Sequence, residues 1–354
     1  MRTPVRTPVR ALPALLALAA ATLLSAAPAA AIPSDWTAAS RAFATHAVVS
    51  PDIAVQLDGT PHIATEGGPT PGIWYVTRVG TTWESVQITT GDDHWPSIGL
   101  DGANPVISFT RTGAVDPGVY TATNVTGDWV VVQRHAGTDG PSSLAMDDAT
   151  AHIAFASGGA LQYLTGPDDA ADATGWTGAT PDDSCCTGAP SLTLGPDARP
   201  RIAYPDGTAA HPGGLSVLTR TAGGWVRKVV DTHKIASPAI SVDGTKAYVA
   251  YIRRGAGTWY AALSGSTWSM KALDTGASGP PDVSAFSGAI AFVWGNTGKL
   301  KLATMSGGII LTRTFSATKG DQRPRVVRQG GKPHIALLRH NGGAGDGVLW
   351  THQK

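Results

Sequence analysis

Apolar residues recur at alternate positions over short stretches of this chain, and the stretches themselves repeat. Residues 50–65 read "SPDIAVQLDGTPHIAT", two alternating runs parted by Asp58-Gly59. Period-two alternation predicts half-buried strands, and Asp-Gly between two such runs predicts a tight hairpin. The same figure returns as "WPSIGLDGANPVISF", "GPSSLAMDDATAHIAF", "APSLTLGPDARPRIAY", "SPAISVDGTKAYVAY", "PPDVSAFSGAIAFVW" and "RPRVVRQGGKPHIAL". The opening prolines of the seven copies are Pro51, Pro96, Pro141, Pro190, Pro238, Pro281 and Pro324, spaced by 45, 45, 49, 48, 43 and 43 residues.

Two further short runs follow each copy. "GIWYVTR", "GVYTATN", "GLSVLTR" and "TWYAALS" stand third, and "TTWESVQI", "GDWVVVQR", "GGWVRKVV" and "STWSMKAL" stand fourth after a glycine-rich turn. Trp83, Trp129, Trp176, Trp225 and Trp268 mark the fourth run, and Ile309-Ile310 replaces the tryptophan in the sixth unit. Four strands in about 45 residues is the period of a propeller blade. The chain is therefore expected to be all-β, a seven-bladed β-propeller with four antiparallel strands per blade. The seventh unit stops after its third run, "GVLWTHQK". Residues 35–51, "DWTAASRAFATHAVVSP", carry tryptophan and then proline 15 residues later, as "GWVRKVVDTHKIASP" does over 13. The N-terminal strand is thus expected to complete the last blade, which removes exposed sheet edges.

Composition agrees. Glycine (43) and proline (25) abound, while glutamate occurs only at Glu66 and Glu84, so turn formers outweigh helix formers. At the N-terminus Arg2, Arg6 and Arg10 precede the uncharged "ALPALLALAAATLLSAA" and then "APAAAIP", where Ala29 and Ala31 form a small-x-small cleavage pattern. Residues 1–31 read as a secretory signal peptide and 32–354 as one exported domain, extracellular and expected to be monomeric. Cleavage drops the basic count from 27 to 24 against 26 acids, a net charge of about −2. That balance gives no footprint for nucleic acid or for an anionic membrane. No dedicated metal spacing, nucleophile elbow or phosphate loop is present, so no cofactor and no metal are expected.

The repeats resemble those of secreted bacterial β-propellers of the sialidase-like superfamily, with units of the form "PSIAxDxxGxPHIAY", over essentially the whole mature chain. Sialidases carry Asp-box turns, Ser-x-Asp-x-Gly-x-Thr-Trp. Here "RVGTTW" and "SGSTW" keep the Gly and Thr-Trp, but Arg78 and Leu263 stand where the aspartate belongs. Sialidases are also six-bladed. The resemblance implies a carbohydrate-binding or carbohydrate-active protein, with lectins, polysaccharide lyases and glycosidases among its relatives, and both departures speak against sialidase chemistry.

The blade plan sorts side chains by face. Turns between strands one and two and between three and four share the bottom, so Asp58, Asp101 and Asp243 serve hairpins. His62, His152 and His334 recur with the repeat and read as structural, and the repeated tryptophans read as blade-to-blade packing. Top-face loops are more varied. Connections between blades contribute His94, His135, Asp182, Asp183, His233 and Asp321. Loops between strands two and three contribute Glu66, Arg111, Asp116, Asp206, His211, Arg253, Arg254, Arg339 and His340, with Tyr204 and Tyr251 just below the rim. Arginine forks bind carboxylates in bidentate fashion, and histidine or tyrosine beside them can exchange protons, which suits a uronic acid or another acidic sugar. The ligand-binding candidates are Arg111, Arg253, Arg254, Arg339, His340, His94, His135, Asp183, Tyr204 and Asp206, and the acid–base candidates are His211, Tyr251 and His233.

Cys185 and Cys186 are the only cysteines, adjacent in the loop that enters the fourth blade. In an exported protein they are expected to form a vicinal disulfide. Such a ring encloses no chain loop and does little to restrain the unfolded state. A loop clamp, a rigid apolar platform for a ligand ring, and a free thiol pair all fit the sequence. The functional expectation is recognition of an extracellular acidic polysaccharide or cell-surface glycan on the top face. A lyase or glycoside hydrolase using the top loops is one alternative, and an adhesion or assembly platform is the other.

Overall fold

The computed structural model describes residues 34–44, 51–68, 70–125, 127–169, 172, 174–186, 188–210, 212–276, 279–296, 298–316, 320–340 and 346–354. The expected signal segment, 1–31, lies outside the described residues. Strands pair into seven four-stranded antiparallel sheets, and the described residues contain no helix. The protein is a seven-bladed β-propeller. Blade 1 consists of Asp52–Val55, Pro61–Glu66, Ile73–Val79 and Thr82–Gln87, ordered from the channel outward. The strands of blades 2 to 6 lie within 93–136, 139–182, 191–231, 235–274 and 282–316. Blade 7 takes Asp321–Gln329, Lys332–Arg339 and Gly347–His352 from the C-terminus, and Ser40–Phe43 closes it as the outermost strand. In that closure Ser40 faces Trp350 and Arg41 faces Leu349, as the interrupted seventh repeat predicts.

Each sheet is buried on both faces against its neighbours, so the core is divided into inter-blade clusters. Ile53, Ile63 and Val76 of blade 1 pack with Ala336, Leu338, Val348 and Trp350 of blade 7. Burying an aliphatic side chain of this size contributes about 1.5–3 kcal/mol. The fourth-strand tryptophans reach back to the preceding blade. Trp83 meets Trp350 at 5.7 Å, Trp129 meets Tyr75 at 5.1 Å, and Trp225 meets Tyr163 at 5.1 Å between ring centroids. The repeated histidines also face the core. His62 and His152 share hydrogen bonds with the hydroxyls of Tyr75 and Tyr163, while His334 stacks on His352. Burial pushes the pKa of His62 and of His334 down to about 4, so these rings are neutral packing groups.

The third strand starts where backbone meets backbone. A Cβ added at Gly72, Gly118, Gly257 or Gly347 would stand 2.0–2.1 Å from the carbonyl oxygen of Thr89, His135, Asp274 or Phe43 respectively. Only glycine fits that approach, which explains a glycine ahead of so many third runs. In these four blades it also brings the top-face loop down onto the end of the fourth strand.

Candidate functional site

Most of the described top-face candidates sit in separate clusters, each built around a carboxylate. Arg111 forks onto Asp93, Nε to Oδ1 at 2.7 Å and Nη2 to Oδ2 at 3.1 Å, and its guanidinium covers Tyr120 at 4.4 Å. Arg339 repeats the fork on Asp321 at 2.7 and 3.0 Å. Arg253 donates twice to Oδ2 of Asp231, at 2.9 and 2.6 Å, beside the Tyr251 hydroxyl at 2.8 Å. The other oxygen of Asp231 accepts the His233 amide at 3.0 Å and pairs with His233 Nδ1 at 2.8 Å. Burial alone would raise the Asp231 pKa, but these donors outweigh it and hold the carboxyl below its ordinary value.

A related network spans the third and fourth blades. The Tyr204 hydroxyl donates to Asp182 at 2.6 Å, Ser216 donates to Asp206 at 2.8 Å, and Arg227 joins both carboxylates. His135 pairs with Asp139, His340 with Asp346 and His94 with Glu66, at 2.8, 3.3 and 3.2 Å. Asp183 and Arg254 are exposed. His211 lies outside the described residues.

This arrangement differs from the expected convergence of open arginine forks. At Asp182 and Asp231 the carboxylate that ends one blade's fourth strand is satisfied by donors from the end of the next blade's second strand, which ties the blades together, whereas Arg111–Asp93 and Arg339–Asp321 join the first two strands of a single blade. Tyr204 and Tyr251 are fully buried, and burial together with the adjoining aspartate pushes each hydroxyl pKa well above its ordinary value. Each phenol is thus a committed donor to its aspartate, which departs from the expectation of Tyr251 as an acid or base. Among the described residues, no ligand-binding or acid–base candidate lines the central channel.

The channel, about 390 Å³, is lined by the first strands of all seven blades and ringed by the seven repeat prolines. Its mouth is shaped by a recurring irregularity. Trp95, Ser237 and Arg323 each precede a repeat proline with φ of +54°, +50° and +48°, and each sits where strand register slips against the second strand. A bulge inserts one residue and re-aims its side chain, here toward the channel. Positive φ is costly for a residue as bulky as tryptophan and persists only when neighbours impose it. Glu66 of blade 1 does so, since its Oε2 accepts the Trp95 amide at 3.0 Å and meets His94 Nδ1 at 3.2 Å.

One step inside, blades 6, 7 and 1 bring Asp282, Arg325 and Asp52 together. Asp52 accepts Ser97 Oγ at 3.0 Å and the Ile98 amide at 2.9 Å, Asp282 accepts the Val326 amide at 2.7 Å, and Arg325 Nε lies 3.7 Å from Asp52. Burial, reinforced by the charge of Asp52, pushes the Asp282 pKa up to about 6 against the pull of Arg325. The rest of the wall sets Ser97, Ser142, Ser143, Ser191 and Ser237 among the repeat prolines and aliphatic residues such as Leu144, Leu192 and Ile240. An aromatic face, a guanidinium, two carboxylates and hydroxyls around one mouth offer stacking, anion pairing and hydrogen bonding to a polyhydroxylated ligand. Sequence reasoning passed over these residues because they flank the repeat proline and were read as part of the repeat. The available signal was variation. The position after the proline reads Asp52, Ser97, Ser142, Ser191, Ala239, Asp282 and Arg325 while its surroundings stay constant.

Cys185 and Cys186 have Cα atoms 3.4 Å apart and a cis peptide between them. Cys185 is buried with Ala154, Leu161, Tyr204 and Leu218, and Cys186 packs against the edge of that cluster. Neither faces the channel.

No protein-family model matches the chain, and no curated protein matches its sequence. Solved structures share the fold. The β-propeller domain of Myceliophteria thermophila Cps50 (Swd1) superposes with a TM-score of 0.59 at 8% identity, covering 90% of this chain and 100% of that one. SapL1 lectin in complex with alpha methyl fucoside gives 0.50 at 14%, covering 72% and 91%. A mutant of Trypanosoma rangeli sialidase displaying trans-sialidase activity gives 0.51 at 10%, covering 92% of this chain and 59% of that one. At these identities the likeness shows the fold alone.

Proposed function

We propose that the protein is exported and recognises an extracellular acidic polysaccharide or cell-surface glycan at the channel mouth on its top face. The observation that carries this reading is Trp95, held at positive φ by Glu66 beside the channel, with Arg325 on the neighbouring arc. A sugar ring rests on the indole, its carboxylate pairs with Arg325, and its hydroxyls meet the serine wall. The fold shared with SapL1, a lectin, and with a sialidase supports a carbohydrate ligand. Export rests on the N-terminal sequence, and in that setting Cys185 and Cys186 are joined as a disulfide that clamps the junction of blades 3 and 4. Asp282, whose carboxyl holds a proton up to about pH 6, favours a second reading in which the same mouth cleaves its glycan as a glycoside hydrolase or lyase.

A glycan array and calorimetric titration with uronic-acid polysaccharides test binding, and product absorbance and reducing ends test turnover. Binding that is lost in Trp95→Ala supports the channel site. Turnover that is lost in Asp282→Asn supports the enzyme. Silence in every assay overturns both and leaves an adhesion or assembly platform.

A further inference from the structure

The charge of this chain is divided between two halves of the ring. Residues 51–182, which build blades 1 to 3, hold 16 acids and three bases, whereas residues 183–354 hold nine acids and 20 bases. Among those nine acids Asp206, Asp231, Asp321 and Asp346 are buried, so blades 4 to 7 present mainly their bases to water. The small net charge therefore averages an acidic arc and a basic arc. Both arcs reach the bottom face, opposite the channel mouth.

Blade 7 stands between blades 6 and 1, and the pairs 1 and 6, 2 and 5, and 3 and 4 lie symmetrically about it. The bottom hairpins of each pair match in kind at the same distance from the channel. In the inner hairpins, between strands one and two, Leu57 of blade 1 is 94% exposed and Phe286 of blade 6 is 48% exposed. In the outer hairpins of the same two blades, Val79 and Ile309 are 54% and 69% exposed. Asp101 enters the inner hairpin of blade 2, and Lys246 leaves the inner hairpin of blade 5. Asp243, on the other side of that hairpin, spends its carboxylate on the Ser287 and Gly288 amides, at 3.0 and 2.5 Å. Asp169 in the outer loop of blade 3 and Arg220 at the outer hairpin of blade 4 are both exposed.

We infer that the bottom face docks on the bottom face of a second copy of this chain, about a two-fold axis that lies in the plane of the face and passes through blade 7. That axis lays blade 1 on blade 6 of the partner, blade 2 on its blade 5 and blade 3 on its blade 4. Apolar side chains then meet at both distances from the channel, and acid meets base in the other two pairs. A two-fold interface must be self-complementary, and hairpins matched across one axis of the ring meet that condition. The apolar contacts supply affinity, while the charges fix the register and exclude other orientations. Lys332, in the blade 7 hairpin on the axis, meets its own copy, and its long stem lets the ammonium turn aside into water. The channel mouths stay open on the outer sides of the pair, so the inference is independent of the glycan reading. It replaces the monomer expected from the sequence.

Sedimentation velocity of the whole mature protein tests the docking at about 0.1 M and about 1 M sodium chloride, between which the screening length falls from about 10 Å to about 3 Å. A monomer–dimer equilibrium is expected at the lower salt and a weaker one at the higher. Leu57→Glu, at a side chain too exposed to disturb the fold, should weaken dimerisation at least tenfold. Arg220→Glu with Lys246→Glu makes both arcs acidic, and Asp101→Lys with Asp169→Lys makes both basic. Neither double variant should dimerise alone, but an equal mixture should restore the dimer, because each copy then faces its complement. Tm is read for every variant, and if a charge reversal does not fold, Leu57→Glu decides. A wild type that stays monomeric, or a dimer that Leu57→Glu and the charge reversals leave unchanged, overturns the inference. So does a monomer that binds polygalacturonate and loses it in Arg220→Glu with Lys246→Glu, which assigns the basic arc to an acidic polymer instead.

Discussion

The carboxylate of Glu66, at the end of the second strand of blade 1, accepts the backbone amide of Trp95, in the first strand of blade 2, at 3.0 Å. This bond crosses a blade junction and fixes Trp95, which the fold keeps at positive φ beside the channel. In Glu66→Ala the amide loses its acceptor and the bulge relaxes, so part of the ordering of Trp95 falls on the ligand. Affinity for the bound glycan is expected to drop about tenfold, roughly 1.4 kcal/mol, with little change in Tm. Glu66→Gln keeps an acceptor oxygen and should retain most of the affinity. Calorimetry and tryptophan fluorescence read both variants, and an Ala variant that binds like the wild type removes Glu66 from the site.

Arg253 and Arg254 are neighbours in sequence with opposite fates. The Arg253 side chain is 13% exposed, donates twice to Asp231, and stacks on Trp259 at 3.7 Å, whereas Arg254 is exposed. Arg253→Ala strands a buried carboxylate and should cost about 3 kcal/mol in urea unfolding. Lysine cannot reproduce the fork, so Arg253→Lys recovers only part. Arg254→Ala should stay within about 0.5 kcal/mol of the wild type. Equal effects at both positions would contradict the clasp.

The fold was legible because its determinants are local and repeated. Pro51 to Pro324 mark the units, Asp58-Gly59 and its counterparts mark hairpins, and Trp36 with Pro51 betrays the displaced last strand. The site was less so. Whether Arg111 is open to a ligand depends on Asp93, which is 18 residues away and pairs with it only through sheet register. The bulge at Trp95 depends on Glu66, 29 residues earlier and on another blade. The first pairing is set by strand register within a blade and the second by the docking of adjacent blades, neither of which alternation along the chain encodes.

Acid should weaken the fold through its histidines. His62 and His334 have folded pKa values near 4, against about 6.5 when unfolded. As pH falls below 6.5 the unfolded chain takes up protons that the folded chain refuses until about pH 4. Stability is therefore full above pH 6.5 and declines between 6.5 and 4, by at most about 3 kcal/mol for each of these two residues. His152, lowered in the same way, acts in the same sense. Asp282 opposes them, since its folded pKa of about 6 lies above the unfolded value and folding gains as it protonates. Asp168, raised to about 6 by burial, acts with Asp282, but these two carboxyls are set against three histidines and against Asp206, Asp231 and Asp274, whose carboxyls are held below their ordinary values, so a net loss remains. Urea midpoints at pH 7.5, 5.5 and 4.5 should fall in that order, and His334→Gln should flatten the decline.

Trp36 closes the ring. It is 2% exposed, packs edge-on against Phe315 of blade 6 at 4.6 Å, and stands just ahead of the strand that completes blade 7. Trp36→Ala should cost about 3–5 kcal/mol. Deleting residues through Phe43 should go further, because Gly347–His352 then becomes an open sheet edge. Scanning calorimetry and light scattering should show lowered Tm and aggregation. Unchanged unfolding after the deletion would refute the closure.

The cysteine pair separates a clamp from a ligand platform. Cys185 is 4% exposed among Ala154, Leu161, Tyr204 and Leu218, and a Cβ on Gly207 would stand 3.1 Å from its carbonyl carbon. Mass spectrometry should find the exported protein two hydrogens lighter than its reduced form. A bond between neighbours encloses no loop, so its loss barely changes the entropy of the unfolded chain. Burial decides the cost instead. Cys185→Ser puts a hydroxyl into an apolar junction and should destabilise by about 1–3 kcal/mol, whereas Cys186→Ser, at the edge of the cluster, should cost less. Glycan affinity should survive both substitutions, because neither cysteine faces the channel. A tenfold loss of affinity with unchanged stability would reverse this assignment and make the pair a surface on which the ligand rests.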